Sequence, residues 1–590
     1  MVASERLPKG PRDPSPARLL AVARGAEEAD VVLTNLRLVN VLTGEIRAAE
    51  VALAGSRIAA LGHGLRGRRV CDLGGRFLCP GLIDAHVHLE SSLVRPAEYA
   101  RAVVPRGVTT VIANPHEIAN VLGAPGFRLM LEEGRGLPLQ ILLTVPSSVP
   151  ATSLATSGAC LTHLDLEELA REPGVVGLGE VMNVPGVVAG DPDLLKELCL
   201  FQHLPRDGHC PGLSGPSLNA YIAAGISSDH ESVSRAEAAD KLHHGLRLFL
   251  REGSAARNLR DLLPTMTPWN ERWLSLCTDD REPDELLQEG GLDHVLRLAM
   301  ASGVNPVAAL RLATLNPAEH YRLDDRGLIA PGRRADLVVV DDLRRFEAHQ
   351  VWQDGVPVAE EGVLVSAPTP SAAKGGGWPN TMNVDVARLD FSIAARPGAA
   401  HVIGVRDGQL LTDKLLLPPT CQGGRVLADA SRNLAKLAVV ERHRGSGRCG
   451  LGLVQGFGLQ RGALAGSVAH DHHNLLVLGM DDLSMATAVQ AVVAAGGGLA
   501  VACGRDLLAL LSLPLAGLMA VAGIEQVAAE SRQLIAAART LGCPLQRPFM
   551  TLSFLGLEVI PALKLTDLGL VDVAAGRLVP LFLDPPEGLL

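Results

Sequence analysis

From Asp30 onward the chain reads as short runs in which apolar and polar residues alternate. VVLTNLRLVN, EIRAAEVALAG and SRIAALG are separated by turn residues, which predicts strands of a small β-domain ending near Pro80. A matching strand-rich piece returns at 326–365. Two β pieces flanking a long middle predict that the middle is inserted into a composite β-sandwich, 29–80 with 326–365. The middle, 81–325, alternates helical stretches with eight apolar runs. These are GLIDAH at 81, VTTVIAN at 108, LQILLTV at 139, VVGLGE at 175, a short run ending at His209, GISSDH at 225, LRLFLRE at 246 and WLSLCTD at 273. Eight strands alternating with helices predict a (β/α)8 barrel. Residues 1–28 read as a polar leader with one helix at 17–26. A Pro/Ser/Gly-rich linker, SAPTPSAAKGGGWP, opens 366–590, which is expected to form a separate C-terminal α/β domain. The fold class is therefore α/β.

Composition narrows the choices. Among 590 residues, 47% are hydrophobic and 20% charged, so disorder is excluded for most of the chain. The formal net charge of −10 and an aromatic content of 3% argue against a nucleic-acid surface built on basic patches and base stacking. None of the ten cysteines forms a C-x-x-C pair, which points to a reducing, cytoplasmic setting rather than a disulfide framework or zinc ribbon. No signal-peptide pattern stands at the N-terminus. The apolar stretch 507–524 contains Pro514 and two glycines and is expected to be a buried strand–turn–helix, with no membrane span.

Barrel chemistry collects at the C-terminal strand ends. Read in order, those ends carry His86 and His88; Asn114, His116 and Glu117; Ser147 and Ser148; Glu180; His209; His230; Arg251 and Glu252; and Asp279 and Asp280. His86 and His88 share one strand face, so both imidazoles can reach one metal. H-x-H alone is a weak signal; the conjunction of four histidines, a Glu and an Asp at the same end of five segments is a strong one. Imidazole and carboxylate without thiolate suit Mn²⁺, Fe²⁺ or Zn²⁺. Two ions would have enough ligands, with Glu180 bridging them; a shared hydroxide would be the nucleophile, and Asp279 would hold a metal and take the hydroxide proton. Cys210 and Cys277 alternate to the other side of their strands and are expected to be packing residues.

These motifs resemble the amidohydrolase superfamily and, within it, the adenine deaminases. The carrying segments are PGLIDAHVHLESS (80–92), NPHEIANVLG (114–123), GLGEVMN (177–183), GHCPGLSG (208–215), AYIAAGISSDHES (220–232), REGSAARNL (251–259), CTDDREPDELL (277–287) and ATLNPAEHYRL (313–323). GFGLQRGALAGSVAHDHHN (456–474) extends the likeness into the C-terminal region. The resemblance covers nearly the whole chain. It implies hydrolysis of adenine to hypoxanthine and ammonia in purine salvage, usually with Mn²⁺. It places Glu180 where many relatives use a carboxylated lysine. His86, His88, Glu180 and Asp279 would hold one metal, and Glu180, His209 and His230 the other. Asp279 is preferred to Asp280 on the superfamily's Thr-Asp ending.

Two positions depart from the family pattern. Asn114 stands where relatives carry an Asp that could shuttle a proton to the leaving amine, so the protein is expected to be a slow deaminase or to rely on a substitute acid such as Glu117 or Glu252. His472 replaces the Ser of D-S-H-N. Arg251 and Glu252, ending the seventh strand, are expected to bind the purine edge rather than form a salt-bridged rim. His116 and Ser214 are further candidate substrate contacts, Ser214 with a helix N-cap as its alternative. The His470-Asp471-His472-His473 cluster is either a cap over the barrel mouth or a second metal site, or else a solvated loop. Gly496-Gly497-Gly498 lacks the Lys-Ser/Thr of a phosphate loop. Rival readings are a cyclic-amide hydrolase, which would carry a lysine at position 180, and a non-catalytic scaffold, which should have lost metal ligands. The expected partners are a small-molecule substrate, adenine, and copies of the same chain in a homo-oligomer, with no nucleic acid and no membrane.

Overall fold

The computed structural model describes residues 13–366, 368 and 379–583, so most of the expected linker and the first part of the leader lie outside the described residues. The leader helix spans Pro16–Ala23, with Pro at its first turn and the Ser15 side chain accepting from the Arg18 N–H at 3.3 Å. Four strands follow: β1 (Ala29–Val39), β2 (Ile46–Ala54), β3 (Arg57–Gly62) and β4 (Gly67–Pro80). They join β13 (Leu337–Val340), β14 (Ala348–Gln353), β15 (Val356–Glu360) and β16 (Val363–Leu364) in one eight-stranded sheet, ordered β16-β15-β14-β13-β4-β1-β2-β3. The seam is the antiparallel pair β4–β13, with Pro80 opposite Leu337. Leu33, Leu38, Val51, Leu78, Val339 and Trp352 form a separate core on this sheet.

Between β4 and β13 lie the eight parallel strands β5 (Leu82–Val87), β6 (Val108–Ala113), β7 (Gln140–Pro146), β8 (Val175–Val181), β9 (Arg206–Gly208), β10 (Ser228–Asp229), β11 (Arg247–Arg251) and β12 (Leu274–Cys277), paired in sequence order. Every residue of β5, β6 and β12 is buried, as expected of a parallel sheet covered on both faces. The barrel closes where β12 returns to β5: the Asp279 N–H donates to the His86 carbonyl at 3.0 Å and the His88 N–H to the Asp279 carbonyl at 3.2 Å. Cys210 and Cys277 are both buried, Cys277 in a core cluster with Ala85, Ile112 and Phe249. All ten cysteines are unpaired.

The C-terminal part builds a second eight-stranded sheet, mostly antiparallel, covered by the helices Asp482–Ala494 and Ile524–Thr540, and a small sheet of Leu563–Thr566, Gly569–Asp572 and Arg577–Val579. The apolar stretch 507–524 resolves into the strand Asp506–Ser512, a turn region and the first residue of the helix Ile524–Thr540. The expected strand–turn–helix is present, but its strand is an edge strand with Leu507 and Leu508 about half exposed, not a buried one. No described helix is long and apolar enough to cross a membrane.

The C-terminal part sits over the barrel mouth. Arg547 reaches Glu282, Asp284 and Glu285 at 2.8, 2.9 and 2.5 Å. Asn474 donates to the Thr156 carbonyl at 2.8 Å, and the Thr156 hydroxyl to Asp567 at 2.6 Å. The Ala520 N–H donates to the Leu93 carbonyl at 2.8 Å.

Candidate metal centre

Six side chains from five strand ends converge on one buried cluster. His86 Nε2 and His88 Nε2 lie 3.1 Å apart. Asp279 Oδ1 faces both, at 3.4 and 3.2 Å. Glu180 stands at the centre. Its Oε1 lies 3.1 Å from His230 Nε2, 3.3 Å from His209 Nδ1 and 3.8 Å from His86 Nε2, and its Oε2 lies 3.6 Å from His88 Nε2. One carboxylate thus faces four imidazoles from three strand ends through two different oxygens. All six side chains are buried.

The backbone is bent to achieve this. Glu180 and Asp279 both have positive φ, 33° and 58°, a left-handed conformation that costs a non-glycine residue of order 1–3 kcal/mol and persists where surroundings enforce it. For Asp279 the enforcing contacts are the two hydrogen bonds that close the barrel. Asp84, inside β5, accepts from the Thr278 N–H at 3.1 Å and hydroxyl at 2.6 Å, tying the first strand to the last beneath the cluster. Asp229, inside β10, accepts from the Cys210 N–H at 3.0 Å and from Lys241 at 2.9 Å, locking the segments that carry His209 and His230. None of these supports was anticipated from sequence. A carboxylate one or two residues before a ligand was the available signal, as in SDHE and IDAH.

The donor set fits divalent cations. Two imidazole nitrogens 3.1 Å apart cannot both carry protons, and nothing on the protein separates them. His209 Nε2 and His230 Nε2 are buried without hydrogen-bond partners. His88 Nδ1 faces the Asn114 carbonyl oxygen at 3.0 Å, so that nitrogen donates and Nε2 is left with its lone pair toward the cluster, the arrangement metal-ligating histidines adopt. Triads from His86, His88, His230, Glu180 and Asp279 bring their donor atoms within 4.8 Å of one another. Burial alone would raise the Glu180 carboxyl, but the imidazoles of His88 and His116 facing it hold it well below the carboxylate range. Burial likewise acts against ionisation of Asp279, and Arg251 with His86 overrides it.

The other expected site residues sort into three groups. Asn114, His116 and Glu117 lie at the cluster. The Asn114 amide donates to Glu180 Oε2 and lies 3.2 Å from His116 Nδ1, so it stands behind the central glutamate. His116 spans two carboxylates, with Nδ1 3.0 Å from Glu180 Oε2 and Nε2 3.2 Å from Asp471 Oδ1. Glu117 Oε1 faces His470 Nδ1 at 3.1 Å, and its Oε2 is buried without a partner. Arg251 is next to the cluster but committed: its guanidinium reaches Asp279 Oδ2 at 2.7 Å and both oxygens of Glu231, one at 2.9 Å. It is a fully buried ion pair that steadies Asp279, not a rim. Glu252 and Ser214 are not brought in. The Glu252 carboxylate accepts from the Leu259 N–H at 3.3 Å, at the start of the helix Leu259–Leu262. Ser214 is exposed and precedes the helix Gly215–Ala223 without a side-chain cap bond. Asp280, one residue past Asp279, turns to the Ser91 hydroxyl instead.

His470, Asp471, His472 and His473 are all buried, so the cap reading holds and the solvated loop does not. The Ala469 N–H donates to His473 Nδ1 at 3.2 Å and the Asn474 N–H to His472 Nδ1 at 3.0 Å. In neutral rings the outer Nε2 of each then carries a proton and is a donor rather than a ligand. His470 stacks on Phe554, with ring centroids 4.7 Å apart and planes at 16°.

A narrow cavity of about 20 Å³ lies on the cluster. Its floor is His88, His116, Glu117, Glu180, His209 and Asp279, and its roof is Leu410, His470, Asp471, Phe554, Leu557 and Ile560. Beside it is a wider chamber of about 380 Å³ that shares Glu231, Leu410 and Ile560 and adds Arg251, Asn258 and residues 408–411.

Comparison with known proteins agrees with this division. The amidohydrolase family matches residues 77–359, and the adenine deaminase C-terminal domain matches residues 409–577. An adenine deaminase of Desulfatibacillum aliphaticivorans is 47% identical over 567 residues, covering 96% of this chain and 99% of that protein. One of Methanothrix thermoacetophila is 45% identical over 570 residues, covering 96% and 99%. Among solved structures, an enamidase aligns with 58% of this chain and 98% of its own at 18% identity, with a TM-score of 0.44. Barrel, cluster and C-terminal cap together match full-length relatives almost from end to end, and the chain belongs to the adenine deaminase family of amidohydrolases.

Proposed function

We propose that this chain hydrolyses adenine to hypoxanthine and ammonia, with two divalent ions, Mn²⁺ first among Mn²⁺, Fe²⁺ and Zn²⁺. The observation that carries the reading is where the family-specific segment falls. The part that matches the adenine deaminase C-terminal domain supplies the roof of the cavity over the cluster, from Leu410 to Ile560. The reaction adds water across C6=N1, hydroxyl to C6 and proton to N1, and the exocyclic nitrogen leaves as ammonia once it takes up the hydroxyl's proton, so the site must move a proton off water and deliver one to that nitrogen.

In this reading His86, His88, Glu180 and Asp279 would hold one ion, and Glu180, His209 and His230 the other. When bound, such ions lower the pKa of water and stabilise developing negative charge. The protein's own groups do the rest. Glu180 stays ionised and fixed between four imidazoles. Asp279 has one oxygen pinned by Arg251 and the other turned into the cluster, placed to accept the proton from water. Glu117 lines the cavity with an unpaired buried oxygen and is the proposed proton donor to the leaving nitrogen. Asn114 does not line the cavity; its role is to orient Glu180. Glu252, turned away, is dropped as an acid. The roof excludes bulk water from the cluster. We further infer a cytoplasmic homo-oligomer acting on the free base in purine salvage, independent of nucleic acid and membrane.

The test is direct. Protein reconstituted with Mn²⁺ should convert adenine to hypoxanthine by ultraviolet absorbance, should leave adenosine unchanged, and should contain up to two ions per chain. Absence of turnover at full metal loading, or a preference for adenosine, would refute the reading.

A further inference from the structure

Lys564 is a chemically conspicuous group near the site that the reaction does not use. It lies on the strand Leu563–Thr566 with no solvent exposure. Among the described residues no carboxylate pairs with it; its nitrogen donates to two backbone carbonyls, of Leu410 and Phe554, both at 2.9 Å. Buried lysines are ordinarily paired, and an unpaired buried charge is costly. Two acceptors match the two N–H donors of a neutral amine, and burial without an opposing charge lowers this lysine to about 7. The side chain is therefore retained at a cost, and what it touches says why.

Leu410 and Phe554 come from different parts of the C-terminal region. Leu410 sits in the turn between the strands Ala400–Val405 and Thr412–Leu417; Phe554 opens the short helix Phe554–Gly556. Both roof the narrow cavity, Phe554 carrying the stacked His470 that meets Glu117. Leu410 also lines the wide chamber, as does Ile560. Leu410, Ile560 and Glu231 line both chambers and form the partition between them, Ile560 a few residues past the Phe554 helix. The inner one, about 20 Å³, has room for about one water, whereas the outer, about 380 Å³, is of the size that holds small organic ligands. A purine must displace the partition to bring its six-membered ring onto the cluster.

We propose that Lys564 is a positioning residue that sets this partition, by fastening the Leu410 turn and the Phe554 helix to one point above the cluster. It governs how readily the base is admitted and held, rather than the bond-making step. The choice of adenine as probe rests on the functional reading above; the fastening itself does not.

Two measurements separate the cases. In hydrogen–deuterium exchange of the full-length protein, Lys564→Met should speed exchange of segments 406–411 and 554–560 by tenfold or more, with the barrel strands unchanged. In steady-state assays the same variant should raise KM for adenine about tenfold, change kcat less than threefold and leave metal content intact. Lys564→Gln, which keeps two N–H donors one atom shorter, should recover part of both effects and serves if the Met variant does not fold. Exchange in the two segments equal to wild type would overturn the proposal whatever the substrate. A loss of kcat with unchanged KM, or exchange raised uniformly across the chain, would overturn it too. A wild-type protein inert toward adenine would count against the functional reading alone, with the exchange experiment still deciding this one.

Discussion

Gly179, one residue before the central glutamate, offers the sharpest test of how Glu180 is held. A Cβ at this position would lie 2.5 Å from Asn114 Oδ1, 2.7 Å from Asn114 Cγ and 2.6 Å from Thr144 Oγ1. Real Cβ contacts are not that short, and both neighbours are fully buried, so neither can swing into solvent. Gly179→Ala must therefore push Asn114 off Glu180. The lost interaction is a hydrogen bond to an ionised carboxylate, worth roughly 1.5–3 kcal/mol. Overpacking adds about 1–3 kcal/mol. The expected cost is about 3–5 kcal/mol in urea unfolding, with Mn²⁺ affinity reduced about 10–100-fold, as for other groups that orient a ligand from behind. The partner is identifiable by a double-mutant cycle. Asn114→Ala alone should lose only the hydrogen bond. Combined with Gly179→Ala it should cost at least 1 kcal/mol less than the sum, because the main clash has gone and the hydrogen bond cannot be lost twice. Additive costs, or a Gly179→Ala protein that binds Mn²⁺ like wild type, would refute the account of how Asn114 holds Glu180.

Other outcomes follow from the same geometry. Glu180→Gln should abolish turnover and reduce bound metal, since a neutral amide cannot bridge two cations; elemental analysis and the ultraviolet assay read both. Asp471→Asn should weaken Mn²⁺ binding about tenfold without unfolding the protein, because His116 then loses the carboxylate that fixes its ring against Glu180; a metal titration that matches wild type would exclude this link. Asp229→Asn should destabilise by about 3–5 kcal/mol in urea, as removal of one member of a buried ion pair leaves Lys241 under-compensated. Lys564 sits at about 7 when folded and near 10.5 when unfolded, so the unfolded chain binds more protons between those values. Its contribution to stability therefore rises with pH from about 7 to 10.5 and is flat below 7, with a slope of up to about 1.4 kcal/mol per pH unit. Urea unfolding at pH 7 and pH 9 should show a smaller difference for Lys564→Met than for wild type.

The barrel and its ligands were legible because both follow rules local to a strand. Eight apolar runs fall on β5 to β12, and the polar residue that ends each run lies at the C-terminal rim. The His86/His88 pair needs only the two-residue period of a strand, and Glu180 only its place after VVGLG. What was not legible depends on which distant residue arrives to use a group up. Arg251 reads as a free cation at a strand end, but Glu231 and Asp279 consume it. Glu252, the next residue, points the other way and satisfies a helix N-terminus. Asn114 seemed to face the leaving group, yet its amide faces Glu180, a contact that depends on residue 179 having no side chain. Lys564 could not be singled out at all, because its partners are main-chain carbonyls more than 150 and ten residues away.

The closure of the barrel through Asp279 has a consequence for how this protein is made. The bonds joining His86 and His88 to Asp279 span nearly two hundred residues, so neither the left-handed turn at Asp279 nor the cluster can exist until the eighth strand has left the ribosome. Even then the carboxylates and imidazoles face outward without Leu410, His470 and Phe554, which are synthesised much later. During translation this cluster of buried carboxylates and imidazoles is thus a solvated funnel, and the last tenth of the chain completes its closure. Cations taken up before that moment would enter from bulk solvent and be sealed in by the roof. Loading after folding, as in reconstitution, has to pass the roof first and is expected to be slower than loading during synthesis.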